Sequence, residues 1–216
     1  FLYINIPILF ITCMFIVQLF FFFFKKIIKR DVFIILLALI TSVLSYFLFS
    51  KIYLPWSIDT ALIGVLFFSI GFGIKKYDLI NKITRSKLVL VFLSILTFCV
   101  TVFISQLNPV VIMAENIYGN YILFLISSAV GILFVIFISL LIKKSVFLSF
   151  LGKNSLIILG FHILFIFNIR SIISLIFQLP QKAIVSDFYI SLIIFLITMI
   201  LCVPTIFVWN KLFLKK

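Results

Sequence analysis

Residues 122–142 read ILFLISSAVGILFVIFISLLI, without one charged side chain. At 1.5 Å of rise per residue, a helix of this run crosses a hydrocarbon core of about 30 Å. A helix on the surface of a soluble domain would carry a polar face, and this run has none. The same ruler, moved outward, finds six more runs, at 2–24, 32–49, 58–74, 88–106, 156–177 and 188–209. The expected fold class is therefore all-α, a polytopic bundle of seven transmembrane helices. The connectors are too short for a separate soluble domain, so 1–216 is expected to form a single membrane domain. Composition points the same way. Of 216 residues 66% are hydrophobic, 30 are Phe and only 11% are charged, and the mean hydropathy is +1.46. Ordinary globular chains are about half apolar and a quarter charged. The same numbers exclude disordered, collagen-like, coiled-coil and disulfide-scaffold classes.

A net charge of +13 would suggest nucleic acid in a soluble chain, but here the cations alternate between loops. Lys25, Lys26, Lys29 and Arg30 follow the first run; Lys75, Lys76, Lys82, Arg85 and Lys87 follow the third. Lys143, Lys144 and Lys153 follow the fifth, and Lys211, Lys215 and Lys216 end the chain. The opposite side holds only Lys51, Arg170 and Lys182. Positive-inside bias then predicts an N-terminus outside and a C-terminus in the cytoplasm, with the lipid bilayer as partner and no nucleic acid. Cys13, Cys99 and Cys202 each lie in an apolar run without a C-x-x-C and are expected to be small buried hydrophobes. One His in the whole chain removes any two-His metal motif, and no metal is expected. The Phe20 to Phe24 run is expected to face lipid, and Trp56 and Trp209 to anchor at the interface. The first residue is Phe1 rather than Met, so the natural start is expected to lie upstream.

Polar groups inside a membrane are costly, which makes His162, near the middle of the sixth run, the first candidate for chemistry. A buried imidazole serves equally as a general base or as an interhelical hydrogen-bonding group. Ser155, seven residues earlier, shares its helix face, and both are expected to look into the bundle. Leu151 to Ser155 form an expected turn leading into a helix. There Asn154 or Ser155 can cap backbone N–H groups, or Lys153, Asn154 and Ser155 can bind a phosphate-bearing donor such as coenzyme A. In the loop 108–120, Glu115, Asn116, Tyr118 and Gly119 suit sugar hydroxyls and suit an ordinary wet loop as well. Asp59 occupies a helix-cap position after Ser57, and it joins Glu115, Asn116 and Tyr118 as a candidate substrate-binding residue. Gly64, Gly71 and Gly73 are expected to let another helix approach closely, and Arg170 to snorkel to the interface. No G-x-S-x-G, Walker loop, G-x-G-x-x-G or H-E-x-x-H is present in the sequence.

Two stretches go further: Leu54-Pro55-Trp56-Ser57-Ile58-Asp59-Thr60-Ala61-Leu62-Ile63-Gly64, running on through Phe67 to Gly71, and Phe150-Leu151-Gly152-Lys153-Asn154-Ser155-Leu156 followed by His162. With Asn116, Tyr118 and Gly119 between them, they resemble the acyltransferase type 3 family, integral membrane O-acyltransferases that include fucose 4-O-acetylase-like proteins. The resemblance implies transfer of an acetyl group from acetyl-CoA to a sugar hydroxyl of an envelope or exported polysaccharide, in a bacterial cytoplasmic membrane. It also implies about ten spans, with an Arg and a His on the first span carrying the chemistry. This sequence has no such helix, so the resemblance implies that the chain corresponds to the carboxy-terminal seven spans and is inactive alone. His162 matches the family's later His, a site-lining or structural position. A transporter or flippase for a lipid-linked saccharide, and a non-catalytic partner subunit, are the rival readings.

Overall fold

The computed structural model describes residues 6–49, 52, 54–83, 86–142, 144–178 and 180–213. Of the residues used above, 2–5 of the first run and the cations Lys51, Arg85, Lys143, Lys215 and Lys216 lie outside them. The helices are α1 (Ile6–Ile27), α2 (Asp31–Phe49), α3 (Ile58–Lys76), α4 (Leu79–Ile83), α5 (Lys87–Leu107), α6 (Tyr121–Ile142), α7 (Val146–Lys153), α8 (Ser155–Phe177), α9 (Gln181–Ser186) and α10 (Phe188–Phe213). Seven of them, α1, α2, α3, α5, α6, α8 and α10, are long and apolar enough to cross a membrane. The chain is an all-α polytopic bundle, as its sequence predicts, and each long helix falls on one of the seven apolar runs. The first ends later than composition suggests. Lys25 stays helical because its ammonium lies over the Phe72 ring, 4.4 Å from the centroid, a cation–π contact that keeps the charge against the bundle.

The helices divide into two compact units: the first is Leu9–Lys143, with α1 from Leu9 onward and α2 to α6, and the second is Lys144–Lys216, with α7 to α10, grouped with the opening residues of α1 before Leu9. In the first, α2 meets α3 with Ala38 and Ala61 in one buried cluster and with Ser45 Oγ donating to Asp59 O. Lipid tails are as apolar as Leu, so membrane helices associate through such close packing and through hydrogen bonds rather than by the hydrophobic effect. Ile16 and Val17 of α1 share a core with Ala61, Val65 and Leu66 of α3. Gly64 marks the close approach predicted there, since a Cβ on it would stand 2.8 Å from Val17 Cγ2. Gly71 departs from that expectation, because nothing lies within 4 Å of its hypothetical Cβ. The Phe run also needs correction. Successive residues turn by about 100° around a helix, so Phe22 and Phe23 are exposed while Phe21 is buried on Phe68 and Phe72, with centroids at 4.9 and 5.1 Å.

At the basic end of this unit, Asp31 accepts hydrogen bonds from Lys76 Nζ at 2.5 Å and from the Tyr77 hydroxyl at 2.8 Å. The carboxylate holds the Tyr77 phenol above its ordinary pKa. In the second unit, α8 and α10 run against each other, with Phe161 on Trp209 at 5.8 Å, and Phe150 of α7 stacks on Phe207 of α10 at 5.7 Å. Ile169, Ile184 and Ile194 form its core. Of the cysteines only Cys202 is buried, with Cys13 intermediate and Cys99 exposed. A thiol is apolar enough to face lipid, so burial in protein is not required of it.

Candidate functional site

The polar groups of the first unit gather at the end opposite Lys25, Lys75 and Lys76, where α2 ends, α3 begins and the loop 108–120 crosses over. The loop is braced by its own amides. Asn108 Nδ2 donates to Tyr118 O at 3.2 Å and its Oδ1 accepts from Asn120 N at 2.8 Å. Asn120 Oδ1 then accepts from Ile122 N and Leu123 N, capping α6. Ile112 and Ile117 exchange backbone hydrogen bonds of 2.8 and 3.1 Å around the turn at Met113–Glu115. Two residues in this loop have left-handed backbone, Asn116 at φ 55° and Gly119 at φ 61°. Asn tolerates that conformation better than most residues. At Gly119 a Cβ would meet Asn108 Oδ1 at 2.6 Å, so glycine is required for space as well as for torsion.

This geometry sends Asn116 inward. Its Nδ2 donates to Asp59 Oδ2 at 2.5 Å and to Phe49 O at 3.3 Å, while its Oδ1 accepts from the Tyr118 hydroxyl at 3.3 Å. Asp59 is only 3% exposed and Tyr118 2%. Asp59, expected at a helix-cap position, is a buried carboxylate beneath the folded loop, bonded to Asn116. Its second oxygen, Oδ1, has no hydrogen-bond partner among the described residues. A buried carboxylate oxygen without a donor is costly, and such groups are rare in folded proteins. Burial also pushes the Tyr118 phenol up to about 12, the Asp59 charge adding to the rise and the Thr60 hydroxyl opposing it. Tyr118 is accordingly a protonated donor at neutral pH. The turn just before Asp59 carries strain, since Trp56 (φ 61°) and Ser57 (φ 57°) are both left-handed, and Trp56 is 71% exposed.

The surrounding groups were not singled out in the sequence. Ser42 hydrogen-bonds the Tyr121 hydroxyl, Ser45 Oγ donates to Asp59 O at 2.8 Å, and Thr60 Oγ1 donates to Met113 O at 3.1 Å. Tyr46 stacks on Tyr121 at 4.4 Å. The available signal was spacing, because Ser42, Ser45 and Tyr46 lie three and four residues apart on one face of α2. Glu115, the remaining predicted member of the group, is exposed.

The second unit treats its polar residues differently. His162 Nδ1 sits 3.0 Å from Ile158 O and 2.9 Å from Leu159 O, both on its own helix. Both partners are acceptors, so Nδ1 is the donor. Ser155 is exposed rather than turned into the bundle. The turn at Leu151 to Ser155 shrinks to one residue, because α7 runs to Lys153 and α8 starts at Ser155. Asn154 does not cap with its side chain. Its Nδ2 donates back to Phe150 O at 2.8 Å and its Oδ1 accepts from Asn210 Nδ2 of α10 at 3.2 Å. Lys153 beside it is exposed. Arg170 is half-buried, with an Nε that is buried and without an acceptor among the described residues, which is less free than a snorkelling side chain. No three His, Cys, Asp or Glu among the described residues are grouped to hold a metal ion.

Comparison with known families completes the picture. The family described as an acyltransferase domain, type 3, matches residues 1–208. This chain belongs to that acyltransferase family, and its seven apolar helices make it an integral membrane member. Comparison with curated proteins and with solved structures gives no match.

Proposed function

We propose that the protein is an O-acyltransferase of a bacterial cytoplasmic membrane, moving an acetyl group from acetyl-CoA to a hydroxyl of an envelope or exported sugar. The supporting observation is the family match over residues 1–208 together with a buried carboxylate, Asp59, that has one oxygen unmatched. In the reaction, the thioester C–S bond of the donor breaks and an ester C–O bond forms. The hydroxyl proton ends on the coenzyme A thiol. A sugar hydroxyl is the donor that Asp59 Oδ1 lacks, and the Asn116 amide and Tyr118 phenol add a directed donor–acceptor chain beside it. Charge-assisted bonds of this kind are the stronger ones, which suits an acceptor that must be held while it reacts. The strained turn at Trp56 and Ser57 is the segment we expect to yield when the acceptor enters. Lys153, Asn154 and Ser155 are the proposed contacts to the donor's phosphates, at the start of the long helix α8.

The test is the acetate content of surface polysaccharide in cells carrying the full-length protein with Asp59→Asn. A loss of ester with normal polymer export supports the reading. Normal acetate with reduced export overturns it in favour of a saccharide flippase.

A further inference from the structure

At the other end of the first unit, a cleft of about 410 Å³ is lined mainly by α3 and α6. Its walls are Ile70, Gly71 and Ile74 from α3 and Ile132, Leu133 and Ile136 from α6, all apolar, with Lys75 and Asp78 at the rim. The volume lies in the lower part of the range of ligand sites. Gly71, Lys75, Asp78 and Ile132 are exposed, so the cleft opens sideways along helices that lie in the membrane. Gly71 explains the gap. Gly64, two turns earlier, is filled over by Val17, whereas no atom comes within 4 Å of a Cβ on Gly71. A residue that the small-residue pattern assigns to helix contact has no helix against it.

The rim decides what suits the space. Lys76 is engaged by Asp31, but Lys75 forms no ion pair among the described residues. Lys25 adds positive charge at the same end of the unit, whereas Lys82 lies outside the cleft lining. We propose that this cleft seats one acyl chain of an anionic phospholipid, with its phosphate held by Lys75. The apolar walls match the chain, and the ammonium sits where the α3 helix ends, at the level where a lipid headgroup meets water. Asp78 on the same rim confines the phosphate to the Lys75 side. The inference is independent of the acyl-transfer reading.

The experiment compares phosphatidylglycerol with phosphatidylcholine of identical acyl chains, added to the purified full-length protein in detergent, with retained lipid read by native mass spectrometry. Both headgroups carry the phosphate but only choline cancels its charge, so wild type should prefer phosphatidylglycerol about fivefold, the ratio set by roughly 1 kcal/mol per lysine near a net anionic headgroup. Lys75→Gln should abolish that preference while keeping the lipid, and Lys82→Gln should leave it unchanged. Gly71→Leu, which enters open space and favours helix, should lower retention of both lipids with no loss of thermal stability. Equal retention by wild type and Gly71→Leu, or a preference that survives Lys75→Gln, would overturn the proposal, because the lipid would then be general bilayer coating.

Discussion

Asp59 and His162 are both ionisable residues on membrane-crossing helices, yet the protein uses them in opposite ways. His162 turns its Nδ1 back onto two carbonyls of its own helix and asks nothing of the rest of the chain. Asp59 depends on distant sequence. It takes its donor from Asn116 in another loop, Ser45 of α2 binds its carbonyl, and one oxygen is still unmatched. The lesson is that a polar residue in a membrane helix marks a site only when its partners come from elsewhere. Self-satisfied groups need no function to explain them. Groups whose bonding is distributed and incomplete do.

The sharpest way to break this contrast is at Asp59. In the full-length protein, Asp59→Ala should lower kcat/KM for acyl transfer about ten- to hundredfold, the equivalent of one charged hydrogen bond. It should also reduce stability by about 3 kcal/mol in detergent thermal melts, since Asn116 loses its acceptor in a buried setting. Next comes Gly119→Ala, which forces a side chain into φ 61° against Asn108. A loss of about 2 kcal/mol is expected, with transfer falling in parallel because the loop that aims Asn116 is displaced. His162→Ala should cost only about 1 kcal/mol, near the net value of one hydrogen bond, and leave transfer within about threefold of wild type. A loss as large as that of Asp59→Ala would erase the distinction drawn here.

Two smaller effects sharpen the same contrast. The Tyr118 phenol is raised from 10.0 to about 12, so the fold favours its neutral form. Its contribution to stability is therefore full below about pH 10 and is lost as pH climbs toward 12. Tyr118→Phe should remove that alkaline decline in a melt series, although it also removes the hydrogen bond to Asn116. Glu115→Gln, on an exposed side chain one residue from Asn116, should change neither transfer nor stability measurably.

Much of this was legible before any coordinates. The seven helices follow from runs such as 122–142, because a bilayer imposes length and apolarity on each span separately and both are local properties of the chain. Asp59, Asn116 and Tyr118 could be singled out as polar residues at one membrane boundary, but Glu115 carried the same signal and is exposed. Gly64 and Gly71 likewise look alike in sequence and differ in the fold, one under Val17 and the other beside open space. Ser155 had the right spacing to face inward with His162 and is exposed.

The amino-acid sequence by itself determined the membrane class, the number and approximate positions of the spans, and membership of an acyltransferase family. Only the tertiary structure decided that Asp59 is a buried carboxylate bound to Asn116, that His162 is satisfied by its own backbone, and that Gly71 opens a cleft. The reason is physical. Spanning a bilayer is a property of each helix alone, whereas the worth of a polar group depends on which donors and acceptors distant segments bring within about 3 Å.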